Sequence, residues 1–143
     1  MIEVERVDFV SFLTQDMQRS KRFYTEVLGL EVEGEGEYDL ELRAGQVTLA
    51  IVVHAGAGAD SVPISVKRKY PDIFDPSRDG PFAPSPAGLA LRVPDVAAAR
   101  VALEAKGVEF QSETHDTGVC HMAFFKDPDG NALMLHRRYA PSE

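Results

Sequence analysis

The sequence predicts an α+β fold built from two βαβββ modules, and three observations carry that expectation. The order strand, helix begun by Asp, glycine stop and three strands occurs twice, over residues 9–54 and 89–136. A stretch dense in proline and glycine, residues 55–87, separates the two copies. Near the C-terminus Asp127-Pro128-Asp129-Gly130-Asn131 stands between two β-forming runs, Cys120 to Phe125 and Ala132 to His136. Pro128 presets φ, Gly130 accepts a positive φ, and the Asp and Asn side chains can bond nearby amides, so the segment reads as a β-hairpin.

Taken in order, residues 3–14 alternate apolar and polar around Val4, Val7, Phe9 and Phe12, which predicts a strand ending near Thr14. Asp16 is placed to cap a helix over residues 17–28, whose apolar face is Met17, Phe23, Tyr24, Val27 and Leu28. Gly29 ends it as the residue after the cap. Strands follow over residues 30–33, 38–43 and 46–54, punctuated by Gly34, Gly36 and the Ala44-Gly45 turn. Residues 55–87 hold too many breakers for regular elements and read as a loop, either solvated or a flap over a binding site. Its small basic cluster is Lys67-Arg68-Lys69. The second module repeats the scheme: a strand over 89–93, a helix over 96–106 opened by Pro94-Asp95 and closed by Gly107, a strand over 108–112, a turn at 115–118, and the terminal hairpin. The division is therefore a first module at 1–54, a loop or flap at 55–87 and a second module at 88–143, within one structural domain.

Composition narrows the function. With 15 basic and 23 acidic residues the net charge is -8, which argues against a nucleic-acid groove and against an anionic membrane surface. No stretch approaches the ~20 apolar residues of a membrane span, and the N-terminus has no signal-peptide pattern, so a cytoplasmic location is expected. Cys120 is the single cysteine, which excludes an intrachain disulfide and a cysteine-based zinc cage. Its apolar neighbours make it a small core residue rather than a nucleophile.

The aromatic strand running into Asp127-Pro128-Asp129-Gly130-Asn131 and an apolar return strand, together with the helix end Phe23-Tyr24 and Leu28-Gly29-Leu30, resembles the vicinal-oxygen-chelate superfamily of glyoxalases, bleomycin-resistance proteins and extradiol dioxygenases. The resemblance implies that the two modules form a curved mixed sheet around a central cleft and that the protein is a homodimer. It also implies where metal-using members hold their ion: at the positions of Phe9, Ala50, Gly88 and Met134 in this chain. A divalent ion needs at least three N or O donors at about 2.0–2.3 Å, and these four side chains supply none. No metal and no other cofactor is therefore expected.

Strand alternation then assigns the side chains facing the cleft. Phe9, Ser11, Val52, Arg92, Met122, Phe124, Met134 and His136 are the expected ligand-binding residues, with Thr48, Ala50 and Ala90 beside them. Their apolar, polarizable character suits an aromatic or extended organic molecule. The expected function is thus metal-independent binding of a small apolar or aromatic ligand, for sequestration or resistance. The alternative is a glyoxalase-like lyase or isomerase, or a dioxygenase, using a non-standard site. For acid-base chemistry the candidates are His136, His115 and Glu41, with Asp116 near His115 and Arg92 as an anion anchor. A metal centre rebuilt from His54, His115, His121 or His136 is the further option; as lone residues these are hydrogen-bonding side chains.

Overall fold

The computed structural model describes residues 1–141, which divide into two units with the boundary between Ala83 and Pro84. In the first unit β1 (Val10–Thr14), α1 (Met17–Arg22), β2 (Glu31–Glu35), β3 (Asp39–Ala44) and β4 (Val47–Val53) give a four-stranded mixed sheet of order β1-β4-β3-β2. Two short helices follow, α2 (Ile64–Lys69) and α3 (Pro76–Asp79). In the second unit β5 (Leu89–Arg92), α4 (Val96–Ala105), β6 (His115–Asp116), β7 (Cys120–Lys126) and β8 (Ala132–Arg138) give the same order, β5-β8-β7-β6. In each sheet the first strand runs parallel to the last and the remaining pairs are antiparallel. The two βαβββ modules expected from the sequence are present.

The helix boundaries follow from local chemistry. Asp16 accepts a hydrogen bond from the Arg19 amide at 3.1 Å, and Asp95 does the same for Ala98 at 3.0 Å. Each satisfies an amide that has no partner within its helix. Beyond Arg22 the helix widens into a π-helical turn, Phe23–Val27, which buries Phe23 and Tyr24 side by side with ring centroids 5.2 Å apart. Gly29 then takes φ 76°, and the Leu30 amide bonds back to the Tyr24 carbonyl at 2.9 Å. That closure needs a left-handed residue, which glycine provides without steric cost.

Each sheet buries one face against its helix. In the first unit Phe12, Leu40, Leu42, Leu49, Ile51 and Val53 are buried together with Met17, Phe23 and Tyr24. In the second, Ala123, Phe125, Leu133 and Leu135 are buried with Val96 and Leu103. Burying such a side chain contributes roughly 1.5–3 kcal/mol, so these alternate residues fix which face of each sheet is left open.

Three expected elements are corrected. Residues 1–9 form no strand. Parallel pairing begins at Val10 opposite Leu49, and β4 itself starts only at Val47, so residues before position 8 have no facing backbone to bond. Residues 108–112 are likewise no strand: Phe110 makes one bridge to Phe125, while Arg100 donates to the Ser112 carbonyl at 2.8 Å and lies over the Phe110 ring. His115–Asp116, expected as a turn, is a short strand on β7, and the turn lies at Thr117–Val119 instead.

The segment after β4 is also more ordered than its composition suggests. Pro63 precedes α2 and Pro76 occupies the first turn of α3, where a missing amide proton costs nothing, so these prolines start helices. Val62 and Phe74 are buried, Tyr38 packs edge-on to Tyr70 and Phe74, and Asp79 accepts from the Ala55 amide at 2.9 Å. Residues 55–83 thus pack on the first unit.

Candidate functional site

The open face of the second sheet gathers most of the candidate residues. Register places Ala90, Met134 and Phe124 in one row across β5, β8 and β7. The next row is Arg92, His136, Met122 and His115, crossing all four strands. Met122, Phe124, Met134 and His136 are half-buried there, whereas Ala90, Arg92 and His115 are exposed. The His115 ring stands edge-on to Phe124 with centroids 5.6 Å apart, and its Nε2 lies 3.2 Å from the Ser112 hydroxyl.

Gly88, just before β5, is shaped by this face. A Cβ at Gly88 would stand 3.0 Å from the terminal methyl of Met134, so the thioether side chain lies over the backbone there. The hairpin that aligns Met134 with Phe124 is held by Asp127 and Asn131, both buried. Asp127 Oδ1 accepts from the amides of Asp129 (2.9 Å) and Asn131 (2.8 Å), and Asn131 Nδ2 donates to Asp127 Oδ2 at 2.8 Å. Asn131 Oδ1 in turn accepts from the Ser85 amide at 2.8 Å, which ties the chain entering β5 to the turn.

In the first unit Ser11, Ala50 and Glu41 form one row and Leu13, Val52 and Asp39 the next, on the open face of their sheet. Glu41 is half-buried and, among the described residues, its side chain carries no hydrogen bond or ion pair. Two charged residues of β3 that the sequence reading passed over share this face, Asp39 and Arg43; their alternation with Glu41 was the available signal. Arg43 bonds Glu33 at 2.9 Å, and Glu33 also accepts from the Thr48 hydroxyl at 2.8 Å, across the bulge that interrupts pairing between Val32 and Gly34. Phe9 stands apart. It lies one residue before β1 and is 52% exposed.

The remaining histidines have structural surroundings. His54 is buried, its Nε2 lying 2.9 Å from the Gly80 carbonyl and its Nδ1 accepting from the Gly56 amide at 3.1 Å. With one nitrogen accepting, the other carries the proton and donates to the carbonyl. His121, on the opposite face of the second sheet from His136, stacks on Tyr139 and lies 3.4 Å from Asp116. Asp116 accepts from the Tyr139 hydroxyl at 2.7 Å and the Gly118 amide at 2.9 Å. The Tyr139 hydroxyl most of all, then the Gly118 amide and the His121 ring, hold the Asp116 carboxyl below the usual range, while the same contact pushes the Tyr139 phenol up. A carboxylate so stabilised is a weak base. Cys120 is buried, with Sγ 3.1 Å from the Thr117 hydroxyl.

Residues 6–135 match the sequence profile of the Glyoxalase/Bleomycin resistance protein/Dioxygenase superfamily. The chain belongs to that superfamily. It is 32% identical over 131 residues to a lactoylglutathione lyase of Pseudomonas putida, covering 81% of this chain and 75% of that protein. The structure of a glyoxalase family protein from Enterococcus faecalis superimposes with a TM-score of 0.64 at 26% identity, covering 93% of this chain and 98% of that one. A glyoxalase/bleomycin resistance protein/dioxygenase from Nocardioides gives a TM-score of 0.70 at 16% identity over 100% of this chain and 93% of that one, a likeness of fold.

The positions implied for a superfamily metal do not fit an ion in this chain. Phe9 and Ala50 of the first unit are hydrocarbon, and Ala50 is buried within its sheet. In the second unit the Met134 methyl fills the space where a side chain at position 88 would begin. None of the four offers the N or O lone pairs that divalent ions take in such sites. Among the described residues no group of three or more His, Cys, Asp or Glu side chains could hold a metal ion. No helix among them is long and apolar enough to cross a membrane.

Proposed function

We propose that this superfamily member is a metal-independent binding protein for a small apolar or aromatic molecule, acting in sequestration or resistance as a cytoplasmic homodimer. The observation that carries this reading is the pairing of Met134 with Gly88 beside Phe124: soft, polarizable surface stands where relatives would need donor atoms. Thioether and aromatic groups adapt to a planar guest and contribute through area burial rather than through bonds to a charge. Met122 extends this surface, and Ser11 and Val52 occupy the open face of the other sheet. Self-association is supported by the exposed apolar side chains Ile2, Val4, Val7 and Phe9 preceding the edge strand β1.

Native mass spectrometry of the purified chain tests the proposal. A dimer mass, an organic adduct released on denaturation and no stoichiometric divalent ion are the expected results. One equivalent of zinc, nickel, manganese or iron per chain, retained after desalting, overturns it.

A second reading is lactoylglutathione lyase chemistry, favoured by the 32% identity to the Pseudomonas putida protein of that name. His136 and Glu41, both half-buried and with side chains that have no hydrogen-bond or ion-pair partner among the described residues, are the acid-base candidates for it. Turnover in a lactoylglutathione lyase assay, lost in His136→Gln or Glu41→Gln, would replace the first reading with this one.

A further inference from the structure

The open face of the second sheet gathers basic side chains in a chain whose net charge is -8. Alternation along β5, β7 and β8, with His115 paired to Met122, places Arg92, His115, Lys126, His136 and Arg138 on it. No aspartate or glutamate of these strands shares that face; Asp116 lies on the other side with His121. Arg138 is committed to the carbonyls of Ala140 and Pro141, and His115 to the Ser112 hydroxyl. Arg92 and His136 are direct neighbours across β5 and β8, and among the described residues neither side chain makes a hydrogen bond or ion pair.

Adjacent strands stand about 4.8 Å apart, so one acceptor group can reach both side chains. Two residues further along the strands, a step of about 7 Å, lies the row of Ala90, Met134 and Phe124. The guanidinium fork matches the two oxygens of a carboxylate, and an imidazole N–H adds a third donor. A row of donors beside a row of thioether and aromatic surface recognises a molecule with an acid at one end and a flat apolar body at the other.

We propose that this face binds aromatic carboxylates, with the acid on Arg92 and His136 and the ring on Met134 and Phe124. The inference rests on the small-molecule-binding reading above and adds the charge of the ligand. No carboxylate of the sheet competes for Arg92, so the fork is available without first breaking an ion pair.

Calorimetric titration of the full chain with naphthalene-2-carboxylate and with its uncharged amide tests it. The two probes share a ring system and differ in charge. The carboxylate is expected to bind at least about tenfold more tightly than the amide, a difference of about 1.4 kcal/mol. Arg92→Gln is expected to remove that preference, with Arg92→Lys intermediate because it keeps the charge and loses the fork. Arg92 is exposed and its side chain has no partner among the described residues, so its replacement does not threaten folding. Equal affinity of the two probes for the unmodified protein, or a carboxylate affinity that Arg92→Gln leaves unchanged, overturns the inference while the apolar-binding reading stands. Failure of both probes to bind overturns the two together.

Discussion

The terminal methyl of Met134 lies 3.0 Å from where a Cβ on Gly88 would stand, so the two residues share one volume on the open face of the second sheet. The nearest atom is the free end of a flexible side chain, which can turn aside at the expense of a less favourable rotamer. Gly88→Ala is expected to cost about 0.5–1.5 kcal/mol, and that cost is expected to vanish in a Met134→Ala background. Urea unfolding of the two single variants and the double variant measures the coupling. Additive effects would show that the two side chains do not compete.

Phe124 and Phe125 are adjacent in sequence and opposite in role. Phe125 is fully buried against Leu133 of the next strand and Phe110, whereas Phe124 is half-buried on the open face opposite Met134. Phe125→Ala is expected to destabilise the fold by about 3–5 kcal/mol. Phe124→Ala should cost under about 1.5 kcal/mol and lower the affinity for naphthalene-2-carboxamide about tenfold. Denaturant curves and calorimetry on both variants separate the roles; equal loss of stability in the two would contradict the assignment of faces.

His54 connects the end of β4 to the segment that follows it. Removing the ring in His54→Ala leaves the Gly80 carbonyl and the Gly56 amide without their partner, for an expected loss of about 1–3 kcal/mol. Hydrogen exchange is expected to accelerate first at residues 55–80. Protection there equal to that of the unmodified chain would show that the ring does not anchor the segment.

The Asp116–Tyr139 contact sets a pH window. Asp116 has a folded-state pKa below its unfolded value, chiefly because of the Tyr139 hydroxyl, so its contribution is present above the ordinary carboxylate range and lost as pH falls through the lowered value. Tyr139 has a raised pKa, so its contribution is complete below the ordinary phenol range and lost as pH rises through the raised value. Stability from this contact is therefore complete in the neutral range and lost at both extremes. Tyr139→Phe should move the Asp116 carboxyl titration upward, read by carbon NMR. An unmoved titration would assign the shift to the Gly118 amide instead.

Local chemistry made much of the fold legible. Asp16 and Asp95 announce their helices, Gly29 and Gly107 close them, and the alternation of β7 and β8 through the Asp127–Asn131 turn places Met122, Phe124, Met134 and His136 on one face. What was misread depends on partners remote in sequence. The alternation of residues 3–9 is as regular as that of a strand, but a strand extends only as far as its neighbour, and β4 begins too late to accompany it. The two helices after β4 were hidden because proline at a helix start looks the same, in one dimension, as proline that breaks one. The neighbourhood of Arg92 and His136 was beyond local reading as well, since it depends on the parallel register between β5 and β8, strands joined only through the rest of the unit.

The Asp127–Asn131 turn also restrains a chemically labile dipeptide. In a mobile chain an Asp-Gly pair cyclises when the glycine nitrogen attacks the preceding side-chain carboxyl, and the ring reopens as isoaspartate. At Asp129-Gly130 that nitrogen is held by the Asp127 carbonyl at 3.0 Å and the glycine is set at φ 91°. Ring closure must wait for the hairpin to open, so the pace of isoaspartate formation at this pair is expected to follow local unfolding rather than the intrinsic lability of the dipeptide.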